Sequence, residues 1–338
     1  MMKKVKWGIL STASIAQGRV LPAMLNCVHA ELAGIGSRSL DKAKAVAAEF
    51  SIAKVFGSYE ELFDDPEIEA IYNPLPNHLH VEWSIRAASR GKHVLCEKPL
   101  SRSVAEARRL LEARDNYHVK IGEAFMVRTN PQWLRTIELV RAGRIGKVRS
   151  ALGYFSYFNV DPANTRNIAD CAGGALMDIG CYPIKTSRMV FGEEPMRVIS
   201  CIERDPGFKT DRLTSAILEF PSGQSVFTSS TQMVNYQRMQ FLGDTGRIDI
   251  EIPFNAPTDK PCRILIDDGK DLYAGGSAIV ETLPVCNQFT IQADLFSIAI
   301  RENTEVPNPL EDAIANMAVI EALFRSAHSG KWEIPERQ

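Results

Sequence analysis

"WGILSTASIA", residues Trp7–Ala16, decides the fold. An apolar run ends in small and hydroxylated residues and gives way to a helical pattern. That is where a dinucleotide-binding strand-to-helix turn carries its glycines. Aligned on the strand, Ser11, Thr12, Ala13, Ser14, Ile15 and Ala16 occupy a G-x-G-x-x-A frame in which serine and alanine replace the glycines. Both are small, so backbone N–H groups still approach a pyrophosphate at the helix start, and Ser11 or Thr12 offers a hydroxyl. Taken alone, the stretch reads equally well as a plain turn with no ligand, and the rest of the chain has to separate the two.

Outward from this turn, short apolar runs alternate with helical patterns through about residue 124. Val5–Leu10 reads as a strand, Glu31–Ser37 ("ELAGIGS") as a second, and "EAIYNP", "HVLCEKP" and "HVKIGEAF" as further short strands. Ser39 is a natural N-cap for the helix "SLDKAKAVAAEF", and Ser58/Glu61 and Ser103/Glu106 are capping-box pairs. Strand and helix repeating at this spacing predict a parallel, doubly wound sheet. From about Gly146 the texture changes to longer strands rich in Ser, Thr and aromatic residues, with turns at Pro221-Ser222-Gly223 and Asp244-Thr245-Gly246. A mostly antiparallel sheet follows, hence an α/β chain with an N-terminal Rossmann domain and a C-terminal α+β domain. Helical patterns close the chain at about 287–301 and 310–328.

Composition excludes several functions. The 338 residues are 45% hydrophobic and 24% charged with a net charge of −2, so nothing suggests a grip on nucleic acid or an anionic membrane. No apolar run is long enough to span a bilayer, and the apolar stretch near the start ends at Ser11, too short for a secretory signal. Seven cysteines without a C-x-x-C pair fit free thiols in a reducing cytosol. His78 and His80, two apart, do not share a helix face, so no metal site is expected. No G-x-S-x-G elbow supports a hydrolase.

The second strand ends in Gly36-Ser37-Arg38, with Lys42 one turn on, where an NAD site usually carries Asp or Glu. A hydroxyl and a guanidinium suit a 2′-phosphate, so a cofactor here is expected to be NADP. Ligands of open parallel sheets lie beyond the carboxyl ends of the strands. One such end is "YNPLPNHLH", with Pro74, Leu75, Asn77 and His80; another is Glu97-Lys98-Pro99, where proline aims Lys98. "AGGALMDIGCYP" (172–183) places Asp178 and Tyr182 four apart, one helical face if Pro183 leaves the helix intact. Each segment alone also reads as ordinary surface.

Together, and in this order, "WGILSTASIA", "SRSLDKAKAVAAEF", "YNPLPNHLHVEWSIRAASRGKHVLCEKPL", "GEAFMVR", "GRIGKVR" and "GGALMDIGCYPI" resemble the glucose–fructose oxidoreductase, inositol dehydrogenase and rhizopine-catabolism (Gfo/Idh/MocA) family over nearly the whole chain. The resemblance implies an NADP-binding Rossmann domain at 1–124. It also implies an α+β substrate and dimerisation domain at 125–338, whose last helix packs back on the first and whose open sheet carries a homodimer contact. It implies Lys98 as the active-site lysine and Asp178 as the acid beside the substrate. Tyr182 stands where histidine is common, as in the branch with dimeric dihydrodiol dehydrogenase, NADP-dependent D-xylose dehydrogenase and anhydrofructose reductase. Pro74, Leu75, Asn77, His80, Glu97 and Lys98 fall on the cofactor side with Ser11–Ile15, Ser37, Arg38 and Lys42.

Tyrosine is too weakly acidic to serve as a base unaided at neutral pH, and a neighbouring ammonium from Lys98 favours its phenolate. Glu123, Arg128, Phe158, Asn164 and Arg166 are expected near the substrate. The expected activity is NADP-dependent oxidation or reduction of a sugar or polyol, for example an aldose at its anomeric carbon. A sugar-to-sugar oxidoreductase with retained NADP, a trans-dihydrodiol dehydrogenase, an anhydrofructose reductase and a non-catalytic sugar or NADP sensor are the alternatives.

Overall fold

The structure is a computed structural model that describes residues 3–271 and 277–337. The chain divides into two compact units, Met1–Met126 with Asn287–Ile314 and Val127–Cys286 with Ala315–Gln338. Residues 287–314 fall with the first unit, outside the 1–124 span expected for the cofactor-binding domain.

Six parallel strands form the first unit's sheet: β1 (Val5–Leu10), β2 (Ala30–Gly36), β3 (Lys54–Phe56), β4 (Ala70–Asn73), β5 (His93–Glu97) and β6 (Ile121–Ala124). Their order is β3-β2-β1-β4-β5-β6, the expected doubly wound sheet with its reversal between β1 and β4. Because all six run the same way, Ser11, Ser37, Pro74, Lys98 and Phe125 leave the sheet at one edge. Gly8, Gly34 and Gly36 leave room on one face for Leu62, whose atoms a Cβ at any of them would crowd. The caps act as expected: Ser58 Oγ accepts from Glu61 N at 3.1 Å and Ser103 Oγ from Glu106 N at 3.1 Å. Each glutamate reaches back one residue further than a standard box, to Gly57 N and Arg102 N.

The helix Gln288–Glu302 joins this unit through long-range contacts that local sequence patterns do not reveal. The Trp7 indole N–H donates to Ser297 Oγ at 3.0 Å, and the Phe296 ring lies 5.5 Å from that of Trp7. The Asp294 carboxylate accepts from Val28 N and His29 N just before β2.

The second unit carries eight strands: β7 (Val148–Phe158), β8 (Arg197–Arg204), β9 (Asp211–Glu219), β10 (Gln224–Ser230), β11 (Gln232–Gly243), β12 (Arg247–Ile250), β13 (Cys262–Asp267) and β14 (Ile279–Leu283). Their order is β14-β13-β12-β11-β7-β10-β9-β8. Only β7 and β10 pair in parallel, so the sheet is mostly antiparallel as expected. Both predicted turns close, with Phe220 N donating to Gly223 O and Gly243 N to Gly246 O, each at 2.8 Å. One face buries Ala151, Phe155, Ala216, Leu218 and Phe227. Beside it the Trp133 indole donates to Pro253 O at 2.7 Å and stacks on Phe254. The other face aligns Ile199, Ile217, Val226 and Leu152 across four adjacent strands, none of them fully buried.

Trp7→Phe keeps the ring contact with Phe296 but loses the indole donor and some volume, so it lowers unfolding stability by about 2 kcal/mol. Urea titration checks this; a change below about 0.5 kcal/mol contradicts the role given to Trp7.

Candidate active site

The turn after β1 answers the question its residues raise. Ser11 adopts φ +64°, the left-handed region that favours glycine, and its N–H donates to Gly36 O at 2.8 Å. The backbone of the first fingerprint position is therefore kept with a serine in it, at a cost of about 1–2 kcal/mol. The Thr12 and Ala13 carbonyls accept from Gln17 Nε2 (2.7 Å) and Gln17 N (3.1 Å). Ser14 and Ile15 open the helical run, which continues through a π-helical turn at Ala16–Val20 and an α-helical one at Leu21–Met24. A helix start behind a left-handed turn directs N–H groups and the positive end of the helix dipole at an anion.

At the end of β2, Ser37 is buried and its Oγ accepts from Ser39 N at 3.2 Å. Arg38 and Lys42 are exposed, and no carboxylate lies between Gly36 and Leu40. Arg38 also reaches the hydroxyl of Tyr59, whose pKa burial raises and Arg38 lowers. Two exposed cations at a strand end without a carboxylate fit a phosphate-bearing ribose better than a bare diol.

Several of the residues expected beside the cofactor are bonded to the loops that flank Lys98. Pro74 and Leu75 lead into a short turn at Asn77–Leu79, and Leu75 N donates to Asn73 Oδ1 at 3.2 Å. His80 is 1% exposed, with Nδ1 2.9 Å from Pro99 O and Nε2 2.5 Å from Leu75 O. The ring is enclosed between the two loops, and as a neutral imidazole it donates its single N–H to one of these carbonyls. Burial pushes its imidazole down to about 4. Glu97 accepts from the Tyr72 hydroxyl (2.7 Å) and Lys98 N (3.2 Å), and burial raises its pKa against the opposing pull of Lys98. Glu123, 2% exposed, accepts from Leu100 N at 3.1 Å. Together these groups hold the backbone on either side of Lys98, which is half-buried and precedes a cis proline.

In the second unit a carboxylate is held by two side chains. Asp178 is 8% exposed; its Oδ2 accepts from the Tyr157 hydroxyl at 2.6 Å and Arg166 Nε at 2.8 Å. The charge of Asp178, then those of Tyr157 and Tyr182, holds the Arg166 guanidinium above its ordinary pKa. Tyr182, 4% exposed, packs its ring 5.4 Å from Phe155 and 5.2 Å from Phe254. A π-helical turn at Leu176–Gly180 runs without a break into the α-helix Cys181–Phe191, and Pro183, which has no N–H to donate, follows that turn inside the helical run. Asn164 Oδ1 accepts from Arg166 N at 3.1 Å, which fixes the loop that delivers the guanidinium.

Phe158 does not join this cluster. It is 65% exposed at the end of β7, and strand alternation turns it to the face opposite Tyr157. Arg128 is half-buried in the turn Met126–Thr129. The residue that sequence reasoning missed is Tyr157. The signal was present in "GYFSYF", where Tyr157 lies two residues from the buried Phe155 and so shares its face.

Two family models match the chain. "Oxidoreductase family, NAD-binding Rossmann fold" covers residues 5–125, and "GFO/IDH/MocA C-terminal domain" covers 133–249. An uncharacterized oxidoreductase of Rhizobium meliloti is 46% identical over 98% of this chain and 99% of its own length. D-xylose 1-dehydrogenase (NADP(+)) 2 of Haloferax volcanii is 36% identical over 96% of this chain and 98% of its own. Among solved structures, the aldose-aldose oxidoreductase of Caulobacter crescentus, complexed with glycerol, superposes with a TM-score of 0.90 at 27% identity, covering 98% and 100% of the two chains.

The brace at His80 has a pH signature. Its imidazole is held neutral down to about pH 4 in the folded chain, while an unfolded one binds a proton below about 6.5. Its contribution is therefore complete above pH 6.5 and is lost as pH falls toward 4, worth about 2–3 kcal/mol by pH 4.5. His80→Gln flattens that part of the acid limb in urea titrations across pH 7.5 to 4.5; an acid limb identical to that of the parent contradicts a neutral, buried His80.

Proposed function

We propose, from the premise that the chain belongs to the Gfo/Idh/MocA family of oxidoreductases, that it is an NADP-dependent dehydrogenase of a sugar or related polyol, oxidising an aldose at its anomeric carbon. The observation that carries the reading is the gathering of Asp178, Arg166, Tyr157 and Tyr182 at one place in the second unit. Oxidation of a CH–OH group needs a proton acceptor for the hydroxyl and a set of fixed polar groups to orient a polyhydroxylated substrate. Tyr182 is assigned the proton transfer, as base in oxidation and acid in reduction. Lys98 is assigned the role of the active-site lysine, and Asp178, pinned by Tyr157 and Arg166, the orientation of substrate hydroxyls. Asn164 supports Arg166, and Arg128 is retained as a substrate-side residue. Bound nicotinamide supplies the hydride acceptor.

For the cofactor, the Ser11–Ile15 turn is assigned the pyrophosphate and Ser37, Arg38 and Lys42 the 2′-phosphate; Pro74, Leu75, Asn77 and Glu97 shape the adjoining loops. The name of the Haloferax relative, which carries both NADP(+) and D-xylose, supports this choice. The open face with Ile199, Ile217, Val226 and Leu152 supports a homodimer through the second unit's sheet. A cytoplasmic location rests on seven cysteines that are all free. None of the described helices is long and apolar enough to cross a membrane.

Purified protein, assayed with NADP and NAD against aldoses, polyols and keto-sugars, is expected to reduce NADP with at least one aldose. Lys98→Met and Tyr182→Phe each lower kcat by roughly 100-fold or more while cofactor binding persists. Failure of every substrate with both nicotinamides contradicts the proposal. The likeness to the Caulobacter enzyme favours one second reading, a sugar-to-sugar oxidoreductase. It is recognised by NADP that survives dialysis and by turnover only with pairs of sugars.

A further inference from the structure

Gly173 and Gly174 leave room for something to approach closely, and the structure shows what does. Asp211, the first residue of β9, is 1% exposed, and its Oδ2 accepts from Leu176 N at 2.6 Å and from the Thr214 hydroxyl at 3.2 Å. A Cβ at Gly174 would fall on that carboxylate, and Gly174 itself takes φ +115°, a conformation other residues rarely adopt. Gly174 is also a junction. Its N–H donates to Arg166 O at 2.8 Å, and its carbonyl accepts from Asp178 N at 3.1 Å. The backbones of both partners in the Arg166–Asp178 ion pair are thus tied to the one residue against which Asp211 is pressed.

We propose that Asp211, acting through Gly174 and Leu176, is a positioning residue that sets the start of the segment carrying Asp178 and Tyr182, and with it the geometry of the Asp178–Arg166 pair. The proposal rests on the reading of Asp178 and Tyr182 as the substrate-side machinery. Its physical basis is a charge-assisted hydrogen bond at the positive end of a helical segment, made in a site closed to water. A neutral cap such as serine or asparagine would accept from the same N–H more weakly but at lower desolvation cost. Burial raises the Asp211 carboxyl to about 6, and Arg204 is the charged side chain that acts on it. The fold therefore keeps a costly anion at neutral pH where a cheaper acceptor would serve a purely structural end.

Asp211→Asn tests this with readouts independent of the substrate's identity. Hydrogen exchange followed by mass spectrometry is expected to show amides of residues 174–180 exchanging at least about tenfold faster in D211N, because the charged acceptor of Leu176 N–H is gone. NADP affinity stays unchanged, since the first unit is untouched. With whichever CH–OH substrate the enzyme turns over, kcat falls about tenfold or more while Tm at pH 7.5 shifts by only a few degrees.

The parent gains Tm relative to D211N as pH is lowered from 7.5 to 5. Its folded carboxyl takes up a proton near pH 6, whereas an unfolded one waits until about 3.8. Parental exchange at 174–180 with parental kcat overturns the proposal. So does a kcat loss that merely parallels the loss of Tm and is recovered when an osmolyte restores Tm. If D211N does not fold, Thr214→Val, which removes the second donor to the same oxygen, carries the test. Faster exchange with a two- to fivefold lower kcat supports the proposal, and parental values for both overturn it. Failure of the sugar reading alone leaves the exchange result readable, so the two failures are distinguishable.

Discussion

Every strand of the first sheet runs the same way, and this makes the exit from β1 the constraint on which that unit depends. The chain must leave the central strand, turn sharply and start a helix against the same sheet, which requires a left-handed residue at position 11. Most Rossmann turns meet that demand with glycine. Here a serine meets it, held by a hydrogen bond from its own N–H to Gly36 O on the neighbouring strand. Strain of this kind survives only where surrounding structure enforces it, and it gathers at functional sites. Beyond the turn, Arg38 and Lys42 supply positive charge where a carboxylate would repel a second phosphate.

The second unit solves a different problem, that of holding an ionised carboxylate out of water in one orientation. Asp178 is fixed by a hydroxyl from β7 and a guanidinium from the loop before Gly173, while its own backbone is fixed through Gly174. Both units interrupt a helix with a π-helical turn, at Ala16–Val20 and Leu176–Gly180, next to the residues assigned to chemistry. Such turns mark functional sites more often than chance, because they displace side chains from ordinary helical spacing.

Much of this was legible in the sequence because it is local. Strand ends, the caps at Ser39, Ser58 and Ser103, the two tight turns and the basic end of β2 each follow from a few adjacent residues. What escaped depends on partners far along the chain. The ring of His80 is enclosed between Leu75 O and Pro99 O, which adjacent residues do not reveal. Glu123 likewise serves Leu100 N. Phe158 was assigned to the substrate by proximity in sequence, but the period of two in β7 turns it away from Asp178. Asp211 gave no signal at all, since a buried acid at a strand start reads as a turn residue until its partner 35 positions earlier is known.

Whether a turn without its glycines still holds a phosphate-rich dinucleotide is read by direct titration of the purified protein with NADP and with NAD. Saturable binding of both is expected, with NADP tighter by about tenfold or more, the value of one good charge-assisted phosphate contact. Equal affinities, tighter NAD, or no binding of either would contradict it.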